Sequence, residues 1–275
     1  MIDLRAMLAV REARPGQSVG GAGPPLALLP GWAGRSSWWE PMLEAMPEPP
    51  RRALLFDLLG HGASAAPRDG YSLERQAELL ARELEERDAS PALLVGHSVG
   101  GLIWTALAAR APEHVAGLVL VDVPPNLKHR HMTLLARLTL LPVVGAASWR
   151  LAPDAVVAYG MKLVVAPGYS IPRQVVRESR AMSHRSARLV AAAAEDYVKR
   201  VDVVETLREA GKPTLVLWGE EEQYFPVAAA REFEPVAEVV TIPGAGHTAY
   251  LEKPEAVARA VERFAAGLAA PAAHD

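Results

Sequence analysis

Gly96-His97-Ser98-Val99-Gly100-Gly101 sets a single hydroxyl among glycines. Ahead of it runs Ala92-Leu93-Leu94-Val95, small and apolar, and behind it Leu102 to Arg110 reads as helix. A strand that enters a helix through G-x-S-x-G is the nucleophile-elbow pattern. The serine backbone of such a turn is strained, and glycines flank it because a Cβ would clash there. The serine oxygen then stands clear of the sheet. The next backbone N–H, that of Val99, points from a helix N-terminus at a carbonyl under attack. The bare pattern also fits an ordinary strand-to-helix turn, but the apolar strand, the helix and the extra Gly101 favour the reactive reading. Serine is a poor nucleophile unless a base takes its proton, and the base needs an acid to hold its tautomer. His247, in the Gly-rich turn Pro243-Gly244-Ala245-Gly246-His247, is the candidate base.

The elements that must position these groups are legible as apolar runs. Met7–Glu12 reads as a strand, with turn signals at Pro15-Gly16 and Gly20-Gly21. Leu26–Leu29, Ala53–Phe56, Ala92–Val95, Leu118–Val121, Pro213–Gly219 and Glu238–Ile242 are further strand candidates. Tyr71–Arg87 has helical spacing, with Leu73, Ala77, Leu80 and Leu84 on one face. Continuous apolar strands alternating with helices indicate a mostly parallel sheet. The alternation breaks after Val123-Pro124-Pro125-Asn126. From there to Glu205 the pattern is helical: Leu127–Leu141, Asp154–Val165, Pro172–Arg188 and Leu189–Val204. This segment carries 12 Lys and Arg against 6 acids, a net charge of +6 in a chain whose total is −3. A helical insert at the carboxyl end of a parallel sheet is expected to act as a lid. Its charge is either a solvated face or an attraction for an anionic substrate. A short helix after Pro226 and a closing helix over Pro254–Leu268 complete the pattern.

Five motifs in order then carry a resemblance. They are Leu29-Pro30-Gly31-Trp32; Asp57-x-x-Gly60-x-Gly62-x-Ser64; the elbow at 96–101; Trp218-Gly219-Glu220; and the 243–247 turn with Leu251-Glu252-Lys253-Pro254-Glu255. Over nearly its whole length the chain resembles the α/β-hydrolase superfamily, most closely its lidded esterase, carbon–carbon hydrolase and non-haem haloperoxidase branch. That resemblance implies an α/β fold: a mostly parallel eight-stranded sheet, helices on both faces, and a helical lid after the sixth strand. Residues 1–125 and 206–275 would form the core and 126–205 the lid. It also implies Ser98 as nucleophile, His247 as general base, and the N–H groups of Val99 and Trp32 as oxyanion hole. Gly31 and the lid residue Trp149 are the implied substrate contacts. The family usually has His-Gly where this chain has Pro30-Gly31, so the bend is kept but a bracing side chain is lost. It also usually has Trp-Gly-x-x-Asp-x-x-x-Pro where this chain reads Trp218-Gly219-Glu220-Glu221-Glu222-Gln223-Tyr224-Phe225-Pro226. Alignment puts Glu222 at the acid position, a one-residue shift selects Glu221, and Asp122, at another strand end, is the second candidate.

Composition narrows the remainder. The near-neutral balance, −3, speaks against nucleic acid as a partner. There is no cysteine, hence no disulfide, thiolate chemistry or cysteine-bound metal. No signal-peptide pattern and no run of about 18 apolar residues stands out, so a cytoplasmic protein without a membrane span is expected. His129, His131 and His184 lack the spacing of metal ligands, and no dinucleotide or P-loop pattern is present, so neither metal nor cofactor is expected. His97, His61 and Asp57 read as structural. The expected activity is hydrolysis of a mainly apolar carboxylic ester, thioester or lactone. Carbon–carbon hydrolysis of a diketone-like substrate and a receptor-like binding role stay open, as does homodimerisation.

Overall fold

The computed structural model describes residues 7–13, 23–48, 52–128 and 138–269. Seven strands form one sheet: β1 (Val10–Glu12), β2 (Leu26–Leu29), β3 (Ala53–Phe56), β4 (Ala92–His97), β5 (Val115–Val121), β6 (Thr214–Gly219) and β7 (Glu238–Ile242), in the order β1-β3-β2-β4-β5-β6-β7. Only β1 is antiparallel, pairing Val10 with Phe56. Every residue of β2, β3, β4 and β6 is buried. Alternate side chains go to opposite faces, and both faces are dry. Ala27, Leu29, Leu94, Leu118 and Leu120 join one apolar cluster, while Leu26, Leu28, Leu93, Val95, Val119 and Val121 join the other.

The helices are α1 (Glu40–Glu44), α2 (Leu73–Glu86), α3 (Val99–Arg110), α4 (Val144–Leu151), α5 (Asp154–Met161), α6 (Arg173–Arg180), α7 (His184–Arg200), α8 (Val203–Ala210), α9 (Ala249–Glu252) and α10 (Pro254–Ala269). Leu73, Ala77, Leu80 and Leu84 of α2 face the core as their spacing requires, and the Ser72 hydroxyl caps the helix by accepting from Arg75 N–H. No helix among the described residues is long and apolar enough to cross a membrane.

Three expectations are corrected. The sheet has seven strands among the described residues, not eight, and the helical insert follows the fifth of them, not the sixth. Among the described residues the N-terminal region supplies only the three-residue β1; residues 1–6 and 14–22 lie outside the description. The expected helix over 172–188 is two. The chain breaks at 181–183, because the Ser183 hydroxyl accepts from Ser186 N–H and restarts the helix as α7. That helix then runs on through position 189 to Arg200, and Asp202 caps α8 in the same way. Most of the helix expected over 127–141, with His129 and His131, lies outside the described residues, whereas α4 had no counterpart in the sequence reading.

The winding places the loops that matter. From β2 the chain moves outward to β3, then returns to the other side of β2 as β4 and continues through β5, β6 and β7. The strand order therefore reverses between β2 and β4, where a doubly wound sheet opens a crevice at its carboxyl edge. The loops carrying Trp32 and Ser98 leave the sheet on the two sides of that crevice. Register sets Leu29 beside Gly96, His97 beside Val121 and Gly219 beside Ile242, so the next residues from five strands share one edge.

Candidate active site

Ser98 occupies the turn between β4 and α3 with φ 48° and ψ −119°. Its N–H donates to Val121 O at 2.9 Å, which ties the strained residue to the neighbouring strand. Such a conformation costs on the order of 1–3 kcal/mol and persists only where the surroundings over-determine it. Ala33 (φ 58°) and Asp122 (φ 49°) are also left-handed without being glycine, so three of the four such residues among those described sit at this one edge. Two glycines let the loops close on each other. A Cβ on Gly100 would come 2.5 Å from Pro30 O, and one on Gly31 would come 2.4 Å from His97 Nδ1 and 3.2 Å from Ser98 Cβ. The Trp32 loop is therefore packed directly on the elbow. No acceptor is found among the described residues for the backbone N–H of Trp32 or of Val99.

The missing brace of that loop comes from elsewhere. Ala33 N–H donates to His61 Nε2 at 3.1 Å, while His61 Nδ1 donates to Leu59 O at 3.0 Å. Burial holds the His61 imidazole down at about 4, so it stays a neutral acceptor. Asp57 fixes the same turn by accepting from Ser36 N–H at 2.8 Å and Ala63 N–H at 3.0 Å. Trp32 itself is 39 % exposed; its indole N–H donates to Ala187 O at 2.8 Å, and its ring meets Trp149 edge-on at 5.7 Å. Trp149 in turn donates to Met182 O at 2.8 Å. Trp149, one of the two expected contacts, thus forms one aromatic wall with Trp32, anchored to the insert; the other, Gly31, packs on the elbow. His184 donates to Thr139 O and packs against Trp149.

His247 lies in the turn after β7, and its Nδ1 is hydrogen-bonded to Glu222 Oε2. The three glutamates separate cleanly. Glu220 and Glu221 are exposed, whereas Glu222 is 7 % exposed and turns inward, with its other oxygen accepting from the N–H groups of Tyr224 and Phe225. Asp122 makes no hydrogen bond to His247. It accepts from Gly219 N–H at 2.8 Å and lies 3.5 Å from Ala249 N. Burial pushes its carboxyl well above the ordinary range, and the charge of Glu222 adds to that. Burial alone would lower the His247 value. Glu222, then Asp122 and Glu252, outweigh it and raise the imidazole to about 9.

The elbow and His247 are joined by a contact that local sequence does not reveal. His97, next to Ser98, donates from Nε2 to the carbonyl of His247 itself at 2.7 Å, and the two rings lie 4.9 Å apart. Burial, then the neighbouring His247 charge, keeps His97 neutral. The structure therefore brings Ser98, Val99, Gly31, Trp32, His247 and Glu222 to one edge. Asp122 lies beneath them as a buried acid.

Residues 24–254 match the family model of the alpha/beta hydrolase fold. The chain is 42 % identical over 118 residues to an esterase of Mycobacterium tuberculosis, a match covering 42 % of this chain and 39 % of that protein. It is 28 % identical over 273 residues to a pimeloyl-[acyl-carrier protein] methyl ester esterase of Xanthomonas campestris, covering 90 % of this chain and 97 % of that one. The chain covers less than two thirds of the length of several relatives: 39 % of the esterase, 62 % of an acetyltransferase component from Pseudomonas putida and 42 % of a phage haloperoxidase homologue. Among solved structures, a thermophilic esterase from Thermogutta terrifontis superposes with a TM-score of 0.73 at 26 % identity, covering 96 % of this chain and 94 % of that one.

Proposed function

The chain belongs to the alpha/beta hydrolase fold family, and from that premise we propose that it is a serine hydrolase that cleaves carboxylic esters, thioesters or lactones through an acyl-enzyme. The observation that carries this reading is the buried Glu222–His247 pair, linked through His97 to the strained turn at Ser98. Ser98 Oγ attacks the carbonyl carbon and its proton passes to His247 Nε2. Glu222, on Nδ1, fixes the tautomer and stabilises the imidazolium. The N–H groups of Val99 and Trp32 receive the oxyanion, each contributing about 2.7–4 kcal/mol to the transition state. The imidazolium then protonates the leaving alcohol, and a water activated by the same histidine releases the acid.

The inserted segment 126–205 acts as a lid. Gly31 and the Trp32–Trp149 wall form the substrate-facing side of the crevice. Among the described residues, the large exposed apolar side chains other than Trp32 fall between Leu138 and Leu163, which supports a mainly apolar acyl group. A relative named as a methyl ester esterase is consistent with ester substrates.

The test is covalent capture. A fluorophosphonate is expected to add to the wild-type chain once, with the mass shift on the peptide that contains Ser98, and to block hydrolysis of p-nitrophenyl butyrate. Ligand-induced stabilisation without labelling would overturn the enzymatic reading in favour of a receptor.

The pH dependence follows from His247. Only the neutral imidazole serves as base, and the surrounding carboxylates hold it protonated up to about 9. Hydrolysis is therefore lost as pH falls: kcat/KM is expected to drop about tenfold per pH unit below the His247 value. A pH–rate profile with its ascending limb near 7 instead of near 9 would contradict this.

A further inference from the structure

Glu252 is a buried carboxylate, 8 % exposed, that the mechanism above does not use. It makes no ion pair among the described residues, yet each of its oxygens accepts two hydrogen bonds. Oε1 accepts from Thr248 N–H at 3.0 Å and from Thr248 Oγ1 at 2.8 Å. Oε2 accepts from Gly246 N–H at 2.9 Å and from Ala166 N–H at 2.7 Å. The N–H groups of the residues on both sides of His247 are thus held by one side chain, and the fourth bond reaches into the insert. The N–H of His247 itself donates to Val164 O at 2.7 Å. Three consecutive N–H groups are fixed, the outer two by Glu252 and the middle one by the insert.

The fit between the two segments is close. A Cβ on Gly246 would come 2.4 Å from Ala166 N and 2.6 Å from Val165 C, so the turn at 164–166 lies flush on the base loop. Tyr169 donates to Leu251 O at 3.1 Å, and the Gln223 amide donates to Val165 O at 3.4 Å. Val165 and Ala166 are buried. This stretch is therefore the seat on which the insert rests, and it rests on the base loop.

We infer that Glu252 is a positioning residue for His247: its carboxylate clamps the base loop to the Val164–Ala166 turn of the insert, so that seating of the insert sets the place of the imidazole. The inference rests on the reading of Ser98 and His247 as nucleophile and base. Burying a carboxylate is costly unless it is fully hydrogen-bonded, and here every bond is made to the base loop or to the insert. A glutamine at this site would turn an amide N–H2 toward N–H donors at one end of the clamp and open it.

The experiment compares wild type, Glu252→Gln and Thr248→Val, with active sites counted by complete fluorophosphonate labelling and rates measured on p-nitrophenyl butyrate. Glu252→Gln is expected to lower kcat per labelled site by about 10²-fold, the scale of a base displaced by roughly 1 Å, with KM changed by less than about twofold. Thr248→Val, which removes one of the four bonds and keeps the side-chain volume, is expected to fall in the same direction by less. A merely structural role would reduce the number of labelled sites or the Tm and leave kcat per site unchanged; that result in Glu252→Gln overturns the inference. If Glu252→Gln does not fold, Thr248→Val decides, and a wild-type kcat per site there overturns it. Absence of labelling in the wild type would defeat the serine-hydrolase reading and this inference with it, whereas full labelling with unchanged kcat defeats this inference alone.

Discussion

Ser98→Ala is expected to lower kcat toward p-nitrophenyl butyrate by on the order of 10⁶-fold, the loss seen when the nucleophile of such a unit is removed. The fold should not notice. Alanine has the same Cβ as serine, so the cost of φ 48° at this position is unchanged. The backbone bond from residue 98 to Val121 O involves no side-chain atom. Tm should therefore stay within about 2 °C, which separates loss of chemistry from loss of structure. The loops bearing the Val99 and Trp32 N–H groups also stay in place, so residual hydrolysis about 10³-fold above the uncatalysed rate is expected from the oxyanion hole alone. A variant that retained wild-type kcat would mean that the hydroxyl at the elbow is not the nucleophile.

The elbow was readable in the sequence because its signal is local: six consecutive residues, a strand before and a helix after. The strands were readable for a related reason. Strands of a parallel sheet covered on both faces are nearly continuous apolar runs, as Leu26–Leu29, Ala53–Phe56 and, after Thr214, the rest of Thr214–Gly219 are. The helical insert was harder. Two of its breaks are set by single hydroxyl or carboxylate caps, at Ser183 and Asp202, which weigh little against helical spacing in the apolar residues around them. The contacts that hold the site together were not readable at all. His61 reaches Ala33 across 28 residues, His97 reaches His247 across 150, and Glu252 reaches Ala166 across 86. Each of these side chains stands inside a motif, but its partner is chosen by the fold. The Trp32 loop lacks the bracing histidine that the family usually has before Gly31, and His61 braces that loop from the next strand end.

Three adjacent glutamates posed the hardest choice, since residue type cannot distinguish them. The turn after β6 does: Glu222 N–H donates to Gly219 O, which rotates the third side chain under the loop while the first two face water. Glu222→Gln is accordingly expected to lower kcat by roughly 10⁴-fold, the scale found when a triad carboxylate becomes an amide. Glutamine cannot satisfy both sides of the site. With its amide N–H2 toward His247 it selects the wrong tautomer; with it toward Tyr224 and Phe225 it opposes their N–H donors. Removing the charge also removes the main support of the imidazolium, so the His247 value falls and the ascending limb of the pH profile moves toward acid. Asp122→Asn should behave differently. Its Oδ1 accepts from Gly219 N–H, and the asparagine oxygen can do the same. Burial and the charge of Glu222 already favour the neutral form of Asp122, which asparagine imitates. A loss of no more than about tenfold in kcat is expected, from small shifts of the β6 and His247 loops. Measured side by side on one ester, the two variants discriminate sharply. A large loss in Asp122→Asn with near-wild-type Glu222→Gln would move the acid to the end of β5 and leave the Glu222–His247 pair a structural contact.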